Sequence, residues 1–277
     1  MLVNGKELLR EAREKRYAIP AANFIDMESA RAYVEAAEEL SMPLILAYAQ
    51  AHQSFLSLEE AALIGKYYAN QAKVPVVLHL DHATDMDFIQ RAIKLGFTSI
   101  MIDASVYSLE KNKEITREVV AYAHCFDLTV EAELGHVGSK DDEDIYTSVE
   151  ELEEFLEGTS VDTLAVSIGT AHGVYTREVH LDFERLKELR AHTDIPLVLH
   201  GGSSSEDENL QRCALLGIAK INIFTDFMLA GGRAMHETDS EYYMDLKTSA
   251  SVAMKKVLKH YYKVFLTQVW KGVDSHA

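Results

Sequence analysis

The chain has 277 residues, 48% of them hydrophobic and 26% charged, and a formal net charge of −17. This composition supports a packed core rather than disorder, and the negative charge disfavours nucleic acid or an anionic membrane as a partner. No apolar run approaches the ~18 residues of a membrane span and residues 1–10 carry no signal-peptide pattern. A cytoplasmic protein is therefore expected, with Cys125 and Cys213 reduced and in the core.

In chain order, Gly5–Lys15 reads as a capping helix, followed by a short apolar strand at 21–24 and an Ala/Glu-rich helix at Met27–Leu40. A strand at 44–48, a helix at Leu58–Ala72 and a strand at 76–78 come next, then a helix at Met86–Leu95 stopped by Gly96. The strand at 99–102 leads through a helix at Ser108–Phe126 to a strand at 128–130 and a glycine-started acidic loop, Gly135–Thr147. Ser148–Leu156 opens with Ser148 and Glu151 at capping-box spacing, and a strand at 164–166 precedes a helix at Asp182–Ala191. After a strand at 197–199, Ser205 and Glu208 repeat the capping-box spacing at the head of Ser205–Leu216. The last strand, 220–223, is followed by helices at Phe227–His236 and Ser249–Gln268.

Pro20, Pro43, Pro75 and Pro196 each stand just before one of these strands, where no ladder donor is needed. Eight short, continuously apolar strands alternating with helices predict a single (β/α)8 TIM barrel over residues 1–277. It would carry an N-terminal capping helix and extra C-terminal helices.

Active sites of such barrels gather at the C-terminal ends of the strands. Those ends supply Asn23; His79, Asp81 and His82; Asp103; Glu131 and Glu133; His172; His200, Gly201 and Ser203; and Asn222, Thr225 and Asp226. A lone histidine there would more often be a satisfied core group. Three histidines with several carboxylates fit a divalent metal, zinc being usual for three imidazoles with an open fourth position. The turns Gly169–Gly173 and His200–Ser203, with Asn222 and Thr225, fit the phosphate pocket common in these barrels.

The pieces His79-Leu80-Asp81-His82, residues 99–103, residues 130–135, Gly169–Tyr175, His200-Gly201-Gly202-Ser203 and residues 220–223 resemble, in order, the class II ketose-bisphosphate aldolases of the fructose/tagatose-1,6-bisphosphate type. The resemblance implies that His82, His172 and His200 bind Zn2+, with Asp103 and Glu133 near the metal. It implies Asp81 as the proton shuttle to the aldehyde oxygen. It assigns Gly173, Gly201, Ser203, Asn222 and Thr225 to the phosphate, with a monovalent cation (Na+ or K+) beside them, and Asn23 to the substrate backbone. It further implies a homodimer or homotetramer acting on a phosphorylated sugar.

Two positions depart from that pattern. The family's loop glutamate falls at Asp141, one methylene shorter, with Asp142 and Glu143 beside it, so Asp141 or a shifted Glu143 would be the enediolate base. The family's distal-phosphate arginine, lent by a neighbouring subunit, falls in residues 239–243, where this chain has Glu241; Phe224 likewise stands where a small or polar residue is usual. A non-catalytic sugar-phosphate- or metal-binding relative is the alternative these departures leave open. A zinc hydrolase on the same barrel is a weaker one, since Asn23 stands where a His-x-His pair would begin. The remaining histidines, His52 among them, read as surface or packing residues, except His136, which falls two residues past the fifth strand on the active rim.

Overall fold

A computed structural model describes residues 1–135, 146–170 and 180–271. Its strands are β1 (Leu2–Val3), β2 (Ile19–Asn23), β3 (Leu44–Ala49), β4 (Val76–Ala83), β5 (Ser99–Ile102), β6 (Thr129–Leu134), β7 (Thr163–Val166), β8 (Leu197–Leu199) and β9 (Ile218–Ile223). All pair in parallel, and the order β4-β3-β2-β9-β8-β7-β6-β5 returns from β5 to β4, closing a barrel of eight strands. The helices are α1 (Lys6–Lys15), α2 (Met27–Leu40), α3 (Leu58–Gln71), α4 (Met86–Leu95), α5 (Leu109–His124), α6 (Val149–Leu156), α7 (Phe183–Ala191), α8 (Asp207–Leu215), α9 (Thr225–Glu237) and α10 (Tyr243–Val264). The protein is thus a (β/α)8 TIM barrel with an added C-terminal helix. No helix among the described residues is long and apolar enough to cross a membrane.

Along each strand, side chains alternate between two cores, as the period of two requires. Ala18, Ala22, Leu44, Leu46, Val76 and Leu78 join the large outer core beneath the helices. Ile19, Ala21, Ile45, Val77 and Ala219 form a small inner cluster with Leu9 and Ala12, so α1 plugs the barrel at its N-terminal end. β1 adds to the first two residues of β4, on the flank that β5 joins only from His79 onward. Above the plug the interior turns polar.

Local signals set most helix ends. Ser57–Glu60 and Ser148–Glu151 form reciprocal capping boxes, and Gly96 ends α4 at φ 98°. The Ser205–Glu208 box does not form: Ser205 donates its N–H to Gly202 O (3.3 Å) in a turn, and α8 starts after Glu206. Pro20 is the second residue of β2, not the residue before it; pairing to β3 begins only at Ala21. α10 begins six residues before the expected Ser249, because Ser240 Oγ bonds Asp245 (2.7 Å) and fixes the entry. Its Tyr262 and Phe265 are buried within this chain, the Tyr262 hydroxyl donating to Pro43 O at 3.0 Å. Cys213 is buried as expected, but Cys125 is exposed at the C-cap of α5, its thiol on Ala121 O at 3.2 Å.

Gly202, just past β8, lies against β9: a Cβ there would stand 2.6 Å from Ile221 Cγ2 and 2.9 Å from Asn222 O. The obstacle includes main chain, so it cannot simply swing aside. Gly202→Ala is expected to cost about 1–3 kcal/mol of stability, read as a fall of several degrees in calorimetric Tm.

Candidate active site

At the C-terminal mouth of the barrel, Asp81 is held by two amides. Asn23 Nδ2 donates to Asp81 Oδ2 (2.8 Å) and Asn222 Nδ2 to Oδ1 (2.9 Å). Burial pushes the carboxyl up, but His82, Lys220, His200 and His79 outweigh it and hold the group below the usual carboxylate range. Asp81 is therefore an anion fixed on both oxygens, and Asn23 and Asn222 reach the site through it.

His82 follows directly, yet it shares the mouth with Asp81. A regular strand would send adjacent side chains to opposite faces. Here the β4–β5 register slips between Leu80 and Ala83, and His82 adopts φ 46° in the left-handed region. A left-handed non-glycine residue costs roughly 1–2 kcal/mol, a strain commonly found at functional sites. The bend brings a ligand atom of Asp81, His82 and His200 each within 4.8 Å of one another, and His82, Asp103 and Glu133 form a second such group.

Each of these imidazoles has one nitrogen already engaged by a carboxylate. His82 Nδ1 lies 2.8 Å from Asp103 Oδ2, and His200 Nε2 lies 2.9 Å from Glu131 Oε1. Metal-binding histidines are typically oriented this way, the outer carboxylate fixing the tautomer. His82 would then present Nε2 and His200 Nδ1, the latter 3.3 Å from Glu133 Oε2. Burial lowers the His200 pKa, but the bonds to Glu131 and Glu133 prevail and push it up to about 10; His82 is raised by Asp81 against the same burial. A carboxylate field that attracts a proton to these rings also attracts a dication. The donor set fits a divalent metal.

Beneath lies a buried polar layer. Lys220, 1% exposed, donates to both oxygens of Glu131 at 2.8 Å and sits 3.3 Å from His79 Nε2. Burial, reinforced by Lys220, lowers the His79 pKa to about 3, so this ring is neutral and bonds Ser99 Oγ through Nδ1 (2.8 Å). Lys220 faces inward because β9 carries an extra residue against β8: Leu197 pairs with Ile218 but Val198 with Lys220.

The expected phosphate residues divide. Ser203 Oγ is turned to the head of α9, accepting from Phe224 N (3.1 Å) and Asp226 N (3.5 Å), where Thr225 begins the helix. Gly201 adopts φ 67°. Asn222 Oδ1, Ser167 Oγ and Thr170 Oγ1 are buried with no hydrogen-bond partner among the described residues. Asp141, His172 and Gly173 lie outside the described residues, as do His136 and Glu143. The ends of the acidic loop are close together: Thr147 Oγ1 donates to Leu134 O at 2.5 Å.

The family model for class II fructose-bisphosphate aldolase matches residues 3–268. The chain belongs to that family. It is 35% identical to the YdjI aldolase of Escherichia coli K12, with a TM-score of 0.90 over 96% of this chain and 98% of that one. A putative fructose-1,6-bisphosphate aldolase from Coccidioides immitis is 32% identical, with a TM-score of 0.87 over 94% of each chain. Fructose-bisphosphate aldolase from Campylobacter jejuni is 26% identical, with a TM-score of 0.81 over 96% of this chain and 95% of that one. The protein is an aldolase, a lyase of a typically metal-dependent class that acts on phosphorylated sugars.

Sequence reasoning gave Lys220 no role, although a lysine inside an otherwise apolar strand was the available signal. It also set His52 aside, and nothing in the sequence marks that residue. The buried pair gives a direct test: Lys220→Met strands the Glu131 carboxylate and is expected to destabilise the fold by about 3–5 kcal/mol. Urea unfolding of Lys220→Met and of Lys220→Met/Glu131→Gln checks this, the double variant recovering a substantial part of the loss.

Proposed function

We propose that the protein cleaves and forms a ketose phosphate through the enediolate of dihydroxyacetone phosphate, with Asp81 as proton shuttle. His82, His172 and His200 would hold a divalent metal, with zinc the expected ion. The observation that carries this reading is the convergence of Asp81, His82 and His200 at the barrel mouth, in a chain of this family.

When bound, the cation supplies Lewis-acid stabilisation of charge on the ketose oxygens. Asp81, ionised and fixed by Asn23 and Asn222, takes the hydroxyl proton as the carbon–carbon bond breaks and returns it in synthesis. Asp103 and Glu133 orient the ligands and carry negative charge towards the metal. Gly201, Ser203, Asn222, Thr225 and Gly173 would border the substrate phosphate, with Na+ or K+ beside it; the unspent Asn222 Oδ1, an acceptor, suits that cation or a substrate hydroxyl. Asp141 is the proposed enediolate base. Tyr242, Tyr243 and Met244, 77%, 69% and 78% exposed beside α9, support association into a homodimer or homotetramer. A cytoplasmic setting accords with the unpaired cysteines.

Chelation followed by readdition of Zn2+ to a panel of ketose phosphates tests the reading; cleavage should vanish and return. Asp81→Asn should lower kcat by roughly 10²–10⁴ without loss of fold, and unchanged turnover in that variant would reject the assignment. Glu241 stands exposed between α9 and α10 where the family's arginine would be, and a carboxylate there would repel a distal phosphate. Steady-state kinetics should then show kcat/KM for fructose 1-phosphate at least equal to that for fructose 1,6-bisphosphate.

A further inference from the structure

The loop after β3 is not a free surface turn. Gln50 begins a single 3-10 turn ending at His52, and its side chain clamps the end of β4: Oε1 accepts from Thr84 N and Nε2 donates to Asp85 Oδ2, both at 2.9 Å. His52 O accepts from Phe55 N and Leu56 N at 2.9 Å, while the buried Tyr48 hydroxyl donates to Leu56 O at 2.6 Å. Held at these points, the His52 ring packs on Phe224, with centroids 4.6 Å apart and planes at 37°. Phe224 stands two residues past Asn222, the amide that holds Asp81, and its own N–H is tied to Ser203 Oγ. The pair therefore joins the β3 and β9 sides of the mouth, next to the proton shuttle.

His52 Nδ1 is buried with no hydrogen-bond partner among the described residues. A buried polar nitrogen without a partner is costly in the free protein, so a ligand group that supplied the bond would be favoured. Burial lowers the His52 pKa, against a weaker pull upward from Asp81, so the ring is neutral near pH 7. It offers a hydrogen bond but no positive charge. Phe224 adds an apolar face. The pair itself brings no positive charge to a phosphate or carboxylate, whereas the C–H face of a polyol would lie on the rings with a hydroxyl on the nitrogen.

We propose that His52, stacked on Phe224, is the specificity-determining contact for the aldehyde half of the substrate, and that this half is an uncharged polyhydroxy aldehyde. The assignment rests on the aldolase reading above and adds the identity of the second substrate's class.

The test compares two activities of the holoenzyme. Detritiation of labelled dihydroxyacetone phosphate reports enediolate formation and involves no aldehyde. Cleavage of uncharged-tail ketose 1-phosphates reports the whole reaction. In His52→Phe, which keeps the stack and removes the nitrogens, the ratio of cleavage kcat/KM to exchange rate should fall about tenfold, the size of one lost hydrogen bond. Tm should stay level or rise, since an unpaired buried nitrogen is gone. An unchanged ratio, or a wild-type enzyme that prefers ketoses with an anionic tail, overturns the proposal. Absence of both exchange and cleavage in the wild-type metal-loaded enzyme instead sinks the aldolase reading, and this assignment with it.

Discussion

The charge pair between Lys220 and Glu131 is the interaction on which the upper half of the barrel depends. Both groups are almost wholly removed from water, and each would be prohibitively costly there alone. Beside Lys220, Glu131 also accepts from Thr163 Oγ1 at 3.4 Å and engages His200 Nε2 at 2.9 Å. That contact puts the other nitrogen, Nδ1, towards Glu133. Burial, reinforced by Lys220, keeps His79 neutral, and that ring bonds Ser99 Oγ. A structural pair at the barrel centre thus sets the protonation and orientation of groups one layer above it.

Two local irregularities make this layer possible. The extra residue in β9 turns Lys220 inward, and the left-handed bend at His82 turns a second consecutive side chain into the mouth. Each breaks the strand ladder where a regular strand would have wasted a functional group on the outer face. The apolar plug of α1, Ile19, Ile45 and Val77 below holds the strands while they bend above. Strain and polarity are concentrated at the C-terminal end, and ordinary apolar packing is kept for the other.

The mouth is also asymmetric. The His82–His200 side is crowded with carboxylates, suited to a cation and to the oxygens of a phosphorylated ketose. The His52–Phe224 side is neutral and partly apolar. One half of the substrate would be handled by charge and the other by shape and single hydrogen bonds, so specificity for the aldehyde can change without disturbing the metal half.

The sequence by itself determined the barrel, because eight apolar runs with helical spacers leave few other ways to bury a parallel sheet. It also determined which residue types crown the strands, since Asp81, His82 and His200 stand out as polar groups ending apolar runs. Helix ends with reciprocal caps, such as Ser148–Glu151, were legible for the same local reason, while the failed Ser205 box was decided by a turn to Gly202 that only the β8–α8 packing creates. Tertiary structure alone decided the pairings: that Asn23 and Asn222 hold Asp81, that Lys220 reaches Glu131 across the barrel, and that His52 meets Phe224. These contacts join residues far apart in the chain, and the inward turn of Lys220 requires a backbone irregularity that the period-two pattern predicts against. Local propensity is written in neighbouring residues; the partner of a buried charge is written only in the closed barrel.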